Sequence, residues 1–280
     1  MRLLVGIDHR EGGRDALELA RVLGASSDSS VLVVTVLFGG PLPMEYALLP
    51  EEESREAEPL FTQAREVLAD MEVETHAYGG GSPAAILTTV AEREHFDAIV
   101  VGSPHRGVVG RVLLGSVAKS LLNGAPTDVA VAPKGFAQEQ HDSLRNIAVG
   151  YDGAPESKLA LQRAESLARA SNARIKLVTV VKPPAPAPVM VPVASRPEFP
   201  PQPERVINEG VNSVDVALAA EGRRLDGDPA TQLAAECAEG VDLLVLGSRG
   251  YGPVSRVLLG SVSRQLLPKA PCPVLVVSRP

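Results

Sequence analysis

The segment Arg111-Val112-Leu113-Leu114-Gly115-Ser116-Val117 returns letter for letter as Arg256-Val257-Leu258-Leu259-Gly260-Ser261-Val262, 145 positions later in a chain of 280 residues. A seven-residue identity at nearly half the chain length points to an internal duplication. The chain then folds as two similar units of ordinary domain size, each long enough to bury its own core. The expected domains span 1–135 and 145–280, joined by the polar stretch Lys134 to Arg145.

The halves align element by element. Val5-Gly6-Ile7-Asp8 matches Val149-Gly150-Tyr151-Asp152, and Val33-Val34-Thr35-Val36 matches Leu177-Val178-Thr179-Val180. Ala98 to Ser103 matches Leu243 to Ser248, and Ala125-Pro126 before Val129 matches Ala270-Pro271 before Val274. Between the first two runs of each half, Ala16, Ala20 and Leu23, or Ala160, Ala164 and Leu167, recur at i, i+4, i+7, one apolar helical stripe per copy. Pro83, Pro155 and Pro229 suit the first turn of helices. The apolar runs show little period-two alternation, as strands covered on both faces do. Alternating strands and helices predict an α/β fold with a parallel sheet and right-handed crossovers.

Two segments interrupt the pattern. Lys182 to Arg205 carries nine prolines, which regular helix and central strand do not accommodate, so it is expected as an extended loop. A solvated loop, a partner contact and a lid over a ligand are all open readings. Phe38 to Glu56 is its shorter counterpart.

Composition narrows the functional classes. The chain is 45% apolar and 22% charged with a net charge of −7, which argues against nucleic acid and anionic membrane as partners. No apolar stretch approaches a membrane span, and the first residues read as a strand instead of a leader, so the expected location is the cytoplasm. Cys237 and Cys272 are the two cysteines, and a disulfide between them is not expected in that compartment. The five histidines and the cysteines show no metal-ligand spacing.

The glycine pattern carries the chemistry. Gly247-Ser248-Arg249-Gly250 follows a strand, and nine residues later Gly260-Ser261 opens a helical pattern with Val262, Leu266 and Leu267 on one face. The first turn of a helix presents unpaired N–H groups and partial positive charge, where a phosphate docks. Glycines let the backbone approach an anion closely. Ser261 can cap the helix, donate to a phosphate oxygen, or both. Gly79 to Ala84 loosely fits a dinucleotide fingerprint but precedes the fourth strand instead of following the first, so a turn with Pro at the helix start explains it better. Neither a P-loop motif nor a nucleophile elbow occurs.

With Gly247, Gly250, Gly260 and Ser261 in place, the chain resembles the universal stress protein family, whose signature is G-x2-G-x9-G-[S/T]. The resemblance runs over nearly the whole chain, twice. It implies two tandem Rossmann-like domains, each a five-stranded parallel sheet in the order 3-2-1-4-5 flanked by helices. It also implies pairing through the last strand, which the two halves can supply internally, and adenine-nucleotide binding, as ATP or AMP, with Mg2+ if ATP. A further homodimer is open. By that resemblance Asp152 lies beside the adenosine, Val180 offers backbone to the adenine edge, and Leu246, Gly247, Arg249, Gly250, Gly260, Ser261 and Val262 contact ribose and phosphates. These positions lie at the carboxyl ends of strands one and four, the switch point where open α/β sheets bind ligands. Arg256 either adds charge there or is a solvated surface residue.

The first half matches with Asp8, Val36, Val101, Gly102, Gly115, Ser116 and Val117, but departs at Pro104 and His105. Pro104 removes an N–H donor. The His105 imidazole either crowds the phosphate path or donates to it. The second half is therefore expected to bind nucleotide more tightly. The expected function is a non-catalytic nucleotide-binding stress or signalling protein. The alternatives are a weak ATPase, for which no water-orienting group stands out, and a dimerisation scaffold without ligand.

Overall fold

The computed structural model describes residues 1–25, 29–37, 47–52, 54–104, 109–183, 202–248 and 256–279. The first half runs β1 (Arg2–Ile7), α1 (Glu11–Leu23), β2 (Ser30–Leu37), β3 (Ala47–Leu48), α2 (Glu58–Val67), β4 (Glu72–Gly79), α3 (Pro83–Glu94), β5 (Ala98–Gly102), α4 (Ser116–Leu121) and β6 (Asp128–Ala132). The second runs β7 (Asn146–Gly150), α5 (Pro155–Ser171), β8 (Arg174–Val181), α6 (Pro203–Ser213), β9 (Ala220–Asp226), α7 (Pro229–Cys237), β10 (Leu243–Gly247), α8 (Ser261–Leu266) and β11 (Val274–Val277). Pro83, Pro155 and Pro229 each open a helix, where a missing N–H costs nothing.

Among the described residues the strands form one sheet, ordered β3-β4-β2-β1-β5-β6-β11-β10-β7-β8-β9. Each half contributes a parallel five-stranded set in the order 3-2-1-4-5. The short β3 adds antiparallel to β4 at one edge. The two sets join through β6 and β11, antiparallel, with Val131 opposite Val274 and Val129 opposite Val276. Helices cover both faces, so successive strand residues alternate between two cores: Leu3 and Val5 enter one, Leu4 the other. Both cores are continuous across the seam, which explains strands without polar alternation.

Two expectations need correction. Residues 203–205, expected as loop, belong to α6, where Pro203 takes the first helical turn; residues 184–201 lie outside the described set. In the expected loop from 38 to 56, Ala47–Leu48 form β3 and a short 3₁₀ turn begins at Arg55. The joining stretch from Lys134 to Arg145 is docked on the fold. Phe136 is buried and stacks on His141 with ring centroids 3.8 Å apart, and the buried Asp15 carboxylate accepts the N–H groups of Gly135 and Ala137 at 2.8 and 2.9 Å. Burial outweighs these bonds and holds the Asp15 carboxyl above the usual carboxylate value. Among the described residues no helix is long and apolar enough to cross a membrane.

Candidate functional site

At the carboxyl ends of the strands each half opens a cavity between strands one and four. Asp8 and Asp152 stand at the ends of β1 and β7. Each carboxylate accepts a backbone N–H two residues on, Arg10 and Ala154 respectively, at 3.0 Å, a side-chain turn that fixes the loop into the following helix. Thr35 and Thr179 lie one strand over. Their buried hydroxyls donate to the carbonyls of Ile7 at 3.1 Å and Tyr151 at 2.7 Å, pinning the neighbouring strand ends just before the aspartates. Sequence reasoning missed these threonines. Their signal was a polar residue at one position of an otherwise apolar run, in both copies.

The second cavity, of about 580 Å³, is lined by Asp152, Val180, Leu246, Gly247, Gly260 and Val262, with Leu233 beneath. The first, of about 630 Å³, is lined by Asp8, Val36, Val101, Gly102, Gly115, Ser116 and Val117, with Leu87 beneath. The structure thus brings these sequence-selected residues of each half together, while Ser261 is not in the lining of the second cavity. His105, Arg249 and Gly250 lie outside the described residues. Ser261 is the first helical residue of α8, and Gly260 takes the cap position without a side-chain bond; Gly115 does the same for α4. The expected capping by Ser261 therefore gives way to first-turn N–H groups without a side-chain acceptor.

The first glycine of each motif answers to packing. A Cβ on Gly102 would fall 1.8 Å from the Gly12 carbonyl oxygen, and one on Gly247 would fall 2.3 Å from that of Glu156. The start of α1 or α5 packs directly against that glycine. Arg256 is drawn to the other half, 3.1 Å from Glu92 on α3.

The two walls differ beyond the glycine motif. His9 and Arg10 line the first cavity; the matching turn of the second has Gly153 and Ala154. Arg10 faces Asp8 at 3.9 Å, which offsets its charge within the turn. Glu156 lines the second cavity and pairs with Arg279. In the first half Pro104 packs on Gly115, its ring carbons 3.5–3.6 Å from a Cβ built there.

A serine behind each cavity also differs. Ser103 donates to the Ala132 carbonyl at 2.7 Å and accepts the Leu113 N–H at 2.8 Å. Its counterpart Ser248 is 1% exposed, and among the described residues its hydroxyl has no partner. Each cavity falls within the 300–1,000 Å³ typical of small-molecule sites.

The universal stress protein family model matches residues 1–133 and again 143–278. A universal stress protein of Mycolicibacterium smegmatis is 30% identical, with 98% of this chain and 96% of that protein covered. One of Mycobacterium tuberculosis strain H37Rv is 29% identical over 99% of each chain. The crystal structure of a universal stress protein from Archaeoglobus fulgidus superposes with a TM-score of 0.66 at 21% identity, covering 99% of this chain and 96% of that one; it shares the fold.

Proposed function

Since the chain belongs to the universal stress protein family, we propose that it is a non-catalytic adenine-nucleotide-binding protein of the stress response or of signalling. The observation that carries this reading is the second cavity. Asp152, Val180, Gly247, Gly260 and Val262 line one space at the switch point of a parallel sheet, and α8 begins in its wall. Asp152 would bond the ribose, the Val180 backbone the adenine edge, and Gly247 and the Gly260–Val262 segment the ribose and phosphates, with Arg249 and Gly250 in the same motif. Unpaired first-turn N–H groups hold phosphate oxygens without a lysine. AMP and ATP both suit the site; with ATP, Mg2+ supplies neutralisation of the phosphate charge.

The two sites are unequal in this reading. Pro104 lacks an N–H and packs on Gly115, so the first half lacks the backbone donor that Arg249 offers in the second. Nucleotide released on denaturing the purified protein, identified by mass spectrometry, tests occupancy. Gly260→Glu is expected to abolish retention by the second site, and titration calorimetry to find one tight and one weak site per chain. Retention by that variant at the wild-type level, or two equivalent sites, would overturn the assignment.

A further inference from the structure

The repeated heptad does two jobs that the cavities alone do not reveal. Its Gly-Ser-Val end lines a cavity, whereas its Arg-Val end crosses to the other half. Val112 donates its N–H to the carbonyl of Ala270 at 2.9 Å, and Val257 donates to that of Ala125 at 2.8 Å. The cross-bonds are reciprocal, so each copy of the segment is held by the opposite domain.

Following the chain from either bond closes a ring. Gly115 and Ser116 line the first cavity and begin α4. Lys119 N–H bonds the Gly115 carbonyl at 3.0 Å, and the Ala125 N–H returns to Leu121 at 2.8 Å. The Ala125 carbonyl receives Val257, three residues before Gly260 in the second cavity. From Gly260 the path repeats: Arg264 N–H bonds the Gly260 carbonyl at 3.0 Å, Ala270 N–H bonds Leu266 at 3.0 Å, and the Ala270 carbonyl receives Val112, three residues before Gly115. Val112, Leu121, Ala125, Val257, Leu266 and Ala270 are each at most 1% exposed and belong to one core.

From this ring we propose that the two cavities are energetically coupled, so that occupancy of the first raises the affinity of the second for nucleotide. The proposal rests on the nucleotide-binding reading above and adds its regulation. The physical reason is the absence of slack. Every link is a short helix, a three-residue run of backbone or a buried hydrogen bond, in a close-packed interior that does not deform continuously. Shifting α4 without shifting Val257 would break a buried bond, which is costly. A ligand that fixes α4 also fixes Ala125, Val257 and Gly260, so the second ligand has less left to order. The sign is therefore positive.

The experiment uses the full chain and a variant, Val36→Trp, in which an indole fills the first cavity. Calorimetric titration with ATP gives the affinity of the second site, and amide exchange without nucleotide reports on Val257. The expected results are tightening of the second site by about fivefold or more, the lower end of ordinary coupling, and slower exchange at Val257. An affinity within about twofold of wild type together with unchanged exchange at Val257 would overturn the coupling while leaving the nucleotide site standing. If wild-type protein binds no ATP, the functional reading falls by itself. The exchange arm still decides the coupling, since it needs no ligand: slower Val257 exchange supports the ring and unchanged exchange rejects it. Val216→Trp, at an exposed position outside both cavities, is expected to leave both readouts at wild type; if it reproduces the effect of Val36→Trp, cavity filling is not the cause and the coupling is rejected.

Discussion

Asp128 and Arg163 meet at 2.7 Å across the seam between the halves, the carboxylate at the start of β6 and the guanidinium on α5. Asp128 is almost wholly buried, and its other oxygen accepts both the backbone N–H and the hydroxyl of Ser278, at 2.9 and 3.0 Å. One side chain thus ties the last strand of the first half to a helix and the chain end of the second. Arg163 also approaches Asp97, 3.7 Å away. Removing the arginine leaves a buried carboxylate without its countercharge. Arg163→Ala is expected to lower unfolding stability by about 3 kcal/mol, read by urea denaturation. Asp128→Asn is expected to cost less, because the half-exposed arginine regains water. A larger loss in Asp128→Asn than in Arg163→Ala would reject this account.

The same carboxylate sets a pH dependence. Burial holds Asp128 above the ordinary 3.8, although Arg163 and the Ser278 bonds pull the other way. The folded state therefore binds this proton more tightly than the unfolded state does. The contribution of Asp128 to stability is fully present below pH 3.8 and declines as pH rises through the raised folded value. The stability difference between wild type and Asp128→Asn is expected to shrink over that window and stay flat at neutral pH. A carboxyl-carbon NMR titration of Asp128 with its midpoint at or below 3.8 would reverse the sign.

Gly102 and Gly247 offer a separate test, because their neighbours are backbone. A methyl group at either position meets a helix-start carbonyl at 1.8 or 2.3 Å, which no rotamer change relieves. Gly102→Ala and Gly247→Ala are each expected to destabilise by about 1–3 kcal/mol or more, as overpacking does, Gly102→Ala the more severely. Thermal unfolding without nucleotide reads this directly. If Gly247→Ala weakened ATP binding with no change in melting temperature, the glycine would serve the anion instead of the helix.

The fold was legible because two copies of one pattern had to agree. Buried strands gave apolar runs in both halves, the prolines marked helix starts, and the strand order followed from the resemblance. What escaped lies where the copies disagree. Asp128 stands where the second half has Pro273, and Arg163 where the first has Leu19; the structure places the two substitutions side by side. Position by position the difference was visible, but sequence alone does not say which helix of one half overlies which strand of the other. The role of Gly102 and Gly247 escaped for another reason. A glycine after a strand suits an anion and a close-packed helix equally well, and the distance to Gly12 or Glu156 decides. The docked joining segment was hinted at by Phe136 and Leu144, two large apolar side chains in a polar stretch, whereas Asp15, which accepts the N–H groups of Gly135 and Ala137, is some 120 residues away.

The cysteines give a simpler expectation. Cys237 and Cys272 are both free and buried, and the hydrogen-bonded Cys237 sulfur together with burial pushes the Cys272 thiol well above its usual value. The thiolate is the reactive form, so neither residue should react with a thiol reagent at neutral pH until the chain unfolds. Labelling of folded protein at the rate of a free thiol would contradict the packing around β11.

Ser103 and Ser248 occupy matching positions with opposite hydrogen-bond fates, which makes the chain its own control. Ser103 satisfies a carbonyl and an N–H; Ser103→Ala strands the Leu113 N–H, while the Ala132 carbonyl keeps the Ser103 backbone N–H, and the change is expected to cost about 1–3 kcal/mol. The Ser248 hydroxyl is buried without a partner among the described residues, and deleting it removes a desolvated group that gains nothing from them. Ser248→Ala is therefore expected to be neutral or slightly stabilising. The measurement is a pair of urea titrations without nucleotide, and equal losses in the two variants would show that Ser248 is bonded in solution as Ser103 is. Repeating both titrations with saturating ATP separates the roles further. A Ser248→Ala variant whose stability gain from ATP falls below that of wild type assigns the idle hydroxyl to the bound state, because ligand linkage adds stability only through contacts made when the site is filled.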